Sequence, residues 1–244
     1  MKNISAIFKR ELYGYFSTPV AYVFIVIFLF LTGIFTFYIG SFYETNQADL
    51  DPFFRFHPWL YLFLIPAIAM RLWSEERKSG TIELLMTLPI STTEAVIGKF
   101  LAAWCFSGVA LALTFPMWLT VLYLGSPDNT VILASYIASF LMAGGFLAIG
   151  SCISAITKSQ VIAFVISVVI CFLFILSGFP LVLNFFQAWA PQMLIDAIAS
   201  FSFLTHFESI RKGVIDLRDV IYFTVLIAFW LYATVVTIEA KKTS

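Results

Sequence analysis

The sequence predicts an all-α integral membrane protein. It has six transmembrane helices, an N-terminal interfacial helix, a short cytoplasmic helix between spans two and three, and short outer helices between spans five and six. Three observations carry this. Of 244 residues, 61% are hydrophobic and 11% charged, whereas soluble domains carry about 25% charged residues, so the chain lacks the polar groups to cover a globular surface. Its mean hydropathy is +0.97. Several uncharged runs exceed the roughly 20 residues that cross ~30 Å of hydrocarbon. The formal net charge is zero, which argues against a nucleic-acid partner.

Residues 2–17 place Ile4, Ile7, Phe8, Leu12, Tyr15 and Phe16 at helical spacing, with Lys2, Asn3, Lys9, Arg10 and Ser17 opposite. That pattern suits a helix lying in the headgroup region; a partly helical lead-in is the plainer reading. The apolar run that follows is too long for a signal-peptide core and ends in no small-residue cleavage site. Thr18-Pro19 turns the chain into the first span, 20–43. Residues 44–57 form an acidic loop, and Pro58 suits the first turn of the second span, 58–73.

Spans three to six follow at 95–124, 130–157, 161–179 and 220–238, so that 1–244 reads as one transmembrane domain. Ser91-Thr-Thr-Glu94 is a capping box that opens the third. The fourth is rich in Gly, Ala and Ser, which let helix backbones approach closely in lipid. Gly178-Phe-Pro180 and Ala190-Pro191 interrupt the apolar run after the fifth, so 181–212 reads as short interfacial or re-entrant helices, with Phe185, Phe186 and Trp189 as belt aromatics and Gly213 as a helix stop.

Basic residues set the orientation. Lys2, Lys9, Arg10, Arg71, Arg77, Lys78, Lys99, Lys158, Lys241 and Lys242 share one side, against Arg55, Arg211, Lys212 and Arg218 on the other. Both termini and the loop after span two are therefore expected in the cytoplasm.

No span carries an ionisable residue at its centre, and ion-coupled transport relies on such groups. Gly98-Lys99 precedes Phe100, so the phosphate-cradling Gly-x-x-x-x-Gly-Lys-Ser/Thr pattern is absent. Cys105, Cys152 and Cys171 fall in apolar runs with no Cys-x-x-Cys spacing, and the expectation is neither disulfide nor metal site. His57 and His206 are expected at the surface, outside the bilayer. No enzymatic centre is predicted, and work must be powered from outside the chain.

The polar segment 75–90 is the place to receive that work. Glu75, Glu76, Arg77 and Lys78 are followed by Gly80, which can end the extension of the second span. Thr81 is placed to cap a two-turn helix, 82–88, with Glu83 near its positive end. Ile82, Leu85 and Met86 share one face, Leu84 and Leu88 another, and Pro89 stops the helix. Insertion into a partner's groove and rest on the bilayer or on the first helix fit this pattern equally.

Residues 75–90, Glu-Glu-Arg-Lys-Ser-Gly-Thr-Ile-Glu-Leu-Leu-Met-Thr-Leu-Pro-Ile, resemble the cytoplasmic loop of ABC-2 type transporter permeases, closest to the branch of gliding-motility and copper-enzyme-maturation permeases. Gly98-Lys-Phe-Leu-Ala102, Thr157-Lys-Ser-Gln160 and the run 204–219 continue the likeness. The resemblance implies that 75–90 contains a coupling helix docking on a separate ABC ATPase subunit, which binds ATP and Mg while this chain binds no cofactor. Glu75, Glu76 and Arg77 would make charged contacts there, Gly80, Thr81, Glu83 and Pro89 would shape the helix, and Ile82, Leu85 and Met86 would be its anchor. It also implies two ATPase copies, a second permease copy in a homodimer, and spans one, two and five around the path. The implied role is an exporter subunit in a bacterial inner membrane, with any accessory extracytoplasmic subunit a separate protein. A membrane anchor for an ATPase-driven motility or assembly complex is the competing reading. A passive channel is disfavoured, because the outer helices would cover its mouth.

Overall fold

In the computed structural model the described residues are 2–44, 47–82, 89–187, 190–213 and 216–241, and among them every regular element is helical. Helix α1 (Lys2–Phe16) precedes α2 (Pro19–Ile34), which ends in a π-helical turn over Phe35–Ile39. A short α3 (Asp51–Arg55) leads into α4 (His57–Ala69), and α5 (Arg71–Ser79) follows after a break at Met70. Next come α6 (Thr92–Ala112), α7 (Phe115–Leu124), α8 (Asn129–Ile156) and α9 (Gln160–Leu176). Three short helices, α10 (Pro180–Gln187), α11 (Gln192–Ser200) and α12 (Phe203–Arg211), precede α13 (Leu217–Ala240).

Among the described residues four stretches are long and apolar enough to cross a membrane: Pro19–Ile39, Thr92–Leu124, Asn129–Ile156 and Leu217–Ala240. α9 is an apolar helix of 17 residues, and α11 with α12 forms a pair bent by 71°. α4 has only 13 residues. The expected second span, 58–73, is thus divided: Pro66 has no N–H to give the helical ladder, and the chain breaks four residues later.

α8 is the centre of the bundle, packed by α13, α4, α9, α12, α6 and α5. Its small residues permit this. A Cβ on Gly145 would stand 2.7 Å from the Phe203 ring, and one on Gly150 would overlap the Ala69 methyl. The stripe of small residues is a packing surface, as its composition suggested. Outward-facing apolar stripes remain on α2 (Val23, Val26, Phe30), α9 (Val165, Val169, Leu173) and α13 (Val225, Phe229, Val236), the surfaces that hydrocarbon would cover.

The structure differs from expectation at three places. The segment 44–57 is not simply a polar loop: Leu50, Phe53 and Phe54 are buried. His57 is fully buried, its Nδ1 3.0 Å from the Phe53 carbonyl and its ring among Phe28, Phe53, Phe54 and Tyr61. His206 is buried as well, with Nδ1 2.6 Å from Asp219 Oδ1 and Nε2 2.9 Å from the Ser200 carbonyl, under the stacked Tyr222 ring. His206 has both ring nitrogens supplied with polar partners, which is why its burial is tolerated; His57 has only Nδ1 supplied, and its Nε2 is buried with no hydrogen-bond partner among the described residues. The His206–Asp219 pair links α12, which carries His206, to the first turn of α13, which carries Asp219.

Candidate coupling site

The polar segment after α4 is built on α5. Arg77 and Lys78 stand in its last turn, where cations oppose the negative end of the helix dipole. Gly80 closes it at φ +74°, a left-handed cap that a residue with a Cβ adopts only at a cost. That is the stop expected of Gly80. The Thr81 hydroxyl turns back to Ser79 Oγ at 2.9 Å. Residues 83–88, and with them Glu83, Leu85 and Met86, lie outside the described residues. On the far side of that gap Pro89 is exposed. The Ser91 capping box is fully formed: Ser91 Oγ accepts from the Glu94 amide and Glu94 Oε2 accepts from the Ser91 amide, each at 3.1 Å.

The charged residues of α5 divide into two sets. Glu75, Lys78, Gly80 and Thr81 are exposed; among the described residues the Glu75 carboxylate makes only an i,i+4 pair with Arg71 at 3.2 Å. Glu76 and Arg77 are engaged within the chain. Glu76 Oε1 lies 2.7 Å from Lys99 Nζ, and its Oε2 is buried with no hydrogen-bond partner among the described residues. Arg77 Nη1 donates to the carbonyls of Ala155, and of Ile156 at 3.1 Å, the open C-terminal end of α8. Ile82 packs, half-buried, against the chain's own core.

Lys99, expected on the cytoplasmic side with the other basic residues, has a side chain that is 4% exposed. It lies two turns beyond the Ser91 cap on α6 and faces α5 and α1. There it meets Glu76, Glu11 Oε1 at 3.4 Å and the Leu72 carbonyl at 3.2 Å, with the Trp73 ring centre at 5.2 Å. A lone buried ammonium would be prohibitively costly, and two carboxylates compensate it. The signal was a lysine inside an apolar helix with acids on two neighbouring polar segments.

Two further contacts make α5 part of the bundle. The Ser154 hydroxyl of α8 donates to the Met70 carbonyl at 2.9 Å and accepts the amides of Trp73 and Ser74 at 3.1 and 3.0 Å. One hydroxyl has one donor and two acceptor sites, so the α4–α5 break uses its whole capacity. Buried Trp73 also donates Nε1–H to Ser151 Oγ at 3.2 Å.

α1 is held on the same site. Its apolar stripe packs on α6, with Ile7 against Gly98 and Tyr15 stacked on Phe106 at 5.1 Å. Asn3 Nδ2 donates to Glu94 Oε2 at 3.1 Å. This bond, followed by that from the Ser91 amide, holds the Glu94 carboxyl below its usual range. Burial, reinforced by Glu11, pushes the Tyr15 hydroxyl up. At the α8 terminus Lys241 Nζ reaches the Ile156 carbonyl at 2.5 Å; partial burial, then the charges of Arg77 and Lys158, lower its pKa.

Residues 6–240 match the family model described as ABC-2 family transporter protein. A comparison with curated proteins returns no match.

Proposed function

From the premise that the chain belongs to the ABC-2 transporter family, as a membrane permease component of an ABC transporter, we propose that it is an exporter subunit driven by a separate ATPase docking on 75–90. The family is that of transmembrane subunits without an ATPase site of their own, which implies an ATPase partner and a membrane. The observation that carries the finer reading is the two-sidedness of α5. Glu75, Lys78, Gly80, Thr81 and Pro89 are exposed, while Glu76, Arg77 and Trp73 tie the same segment to α6, α1 and the end of α8. A push on the exposed side is thereby delivered to the central helix.

In this reading the six crossings are those of 20–43, 58–73, 95–124, 130–157, 161–179 and 220–238, with both termini and α5 in the cytoplasm of a bacterial inner-membrane protein. Two permease copies meet two ATPase copies carrying ATP and Mg. Closure of the ATPase pair moves 75–90, and α5 conveys the motion as a rigid body. Glu75 makes a charged contact at the joint, joined by what Glu76 and Arg77 leave accessible, and Leu85 and Met86 supply the anchor.

Co-purification with a co-expressed ATPase tests this. Leu85→Asp is expected to abolish association while the chain stays folded, because a charge in a desolvated anchor is strongly disfavoured. Undiminished association would remove the docking role. An ATPase that binds but whose hydrolysis no lipid or solute stimulates would favour the anchor reading instead.

A further inference from the structure

At the end of the bundle opposite α1 and α5, a cleft of about 1010 Å³ opens between the start of α4, the end of α9 and α12. Its size is at the upper end for ligand pockets, which run to about 1,000 Å³, and far exceeds what an ion needs. Trp59, Phe179, Leu181 and Leu204 give it an apolar wall, and Arg55, Glu208 and Lys212 give it a charged rim. Among the described residues none of these three charges forms an ion pair, whereas neighbouring Arg211 is paired with Asp51. Two cations and one carboxylate stand unpaired beside an apolar wall.

We propose that this cleft binds an aminophospholipid: its phosphodiester is taken by Arg55 and Lys212, its ammonium by Glu208, and an acyl chain runs along Trp59 and Leu181. Guanidinium and ammonium groups form strong charge-assisted bonds to phosphate, while a carboxylate in the same rim disfavours a purely anionic headgroup. The rim sits where α9 and the short helices meet the expected interface, so a lipid can enter sideways without leaving the bilayer. The proposal requires no ATPase and is independent of the docking site.

The test is native mass spectrometry of the full, delipidated chain in detergent. It is titrated with a palmitoyl-oleoyl phosphatidylethanolamine, the matching phosphatidylglycerol, and soluble glycerophosphoethanolamine. The ethanolamine lipid is expected to bind best. Arg55→Gln and Lys212→Gln should each weaken it about tenfold, as loss of one charge-assisted contact does. Glu208→Gln should erase the preference for ethanolamine over glycerol. Arg55, Glu208 and Lys212 are all exposed, and unchanged thermal unfolding confirms that the variants fold.

Equal binding of both lipids by the wild type and all three variants would overturn the proposal. Binding of glycerophosphoethanolamine as tight as that of the whole lipid would also overturn it, since the apolar wall would then have no role. A disulfide-linked dimer formed by Leu181→Cys would seat a second copy on the cleft and equally exclude the lipid.

Discussion

Lys99 Nζ stands 2.7 Å from Glu76 Oε1, and this contact joins α5 to α6. Both side chains are largely withdrawn from water, 4% and 20% exposed. Glu11 of α1 completes the cluster. The same carboxylate that looked ready for a soluble partner is therefore part of the joint that ties α5 to α6 and α1.

Lys99→Met is expected to destabilise the chain by about 3 kcal/mol, the low end for breaking a buried pair, because two carboxylates lose their cation. Denaturant unfolding in detergent measures this. Adding Glu76→Gln should recover part of the loss, and a double variant as unstable as the sum of its singles would show that the two groups do not interact.

Ser154→Ala removes one donor and both acceptor sites from the α4–α5 break. Leaving the Met70 carbonyl and the Trp73 and Ser74 amides short of a partner should cost about 1–3 kcal/mol. Ser151→Ala, which takes away one bond to Trp73 Nε1, should cost about 1 kcal/mol. Hydrogen exchange of the Trp73 and Ser74 amides separates the two: it should rise with the first substitution and not with the second.

Gly150→Ala drives a methyl into that of Ala69 where α8 crosses α4. Overpacking of this kind costs about 1–3 kcal/mol, read as a lower unfolding temperature. Ala69→Gly in the same chain should relieve the clash, and failure to do so would place the cost elsewhere.

The pH dependence of the α6 cap follows from Glu94. Its folded-state pKa is lowered, first by Asn3 and then by the Ser91 amide. The contribution to stability is therefore fully present above the ordinary carboxylate range and is lost as pH falls through the lowered value. Asn3→Ala should shrink the acid-side loss of stability while leaving the curve above about pH 6 parallel to wild type. Differential scanning fluorimetry from pH 3 to 7 supplies the comparison.

Much of the local structure was legible because it depends on neighbours in the chain. Ser91 and Glu94 are three residues apart and cap the same turn wherever the helix is placed. Gly80 and Gly213 adopt positive φ, at +74° and +86°, at the stops their flexibility suggested. The small residues of α8 pointed to close packing before any partner was known. The break between α4 and α5 was less visible, because it is stabilised by Ser154, some 80 positions away in sequence.

Composition and periodicity established a helical membrane protein with one highly charged hairpin, since the cost of leaving backbone or charge unsatisfied in hydrocarbon depends only on residue type and run length. Which charges look outward and which are spent inside was settled by packing. Glu75 and Glu76 are adjacent and chemically alike, yet a 100° turn of helix per residue directs one to solvent and the other to Lys99. His206 is buried because the fold brings Asp219, on the next helix, beside it, and His57, whose Nδ1 meets the Phe53 carbonyl one turn earlier, is buried because Phe28 packs on its ring from a helix distant in sequence.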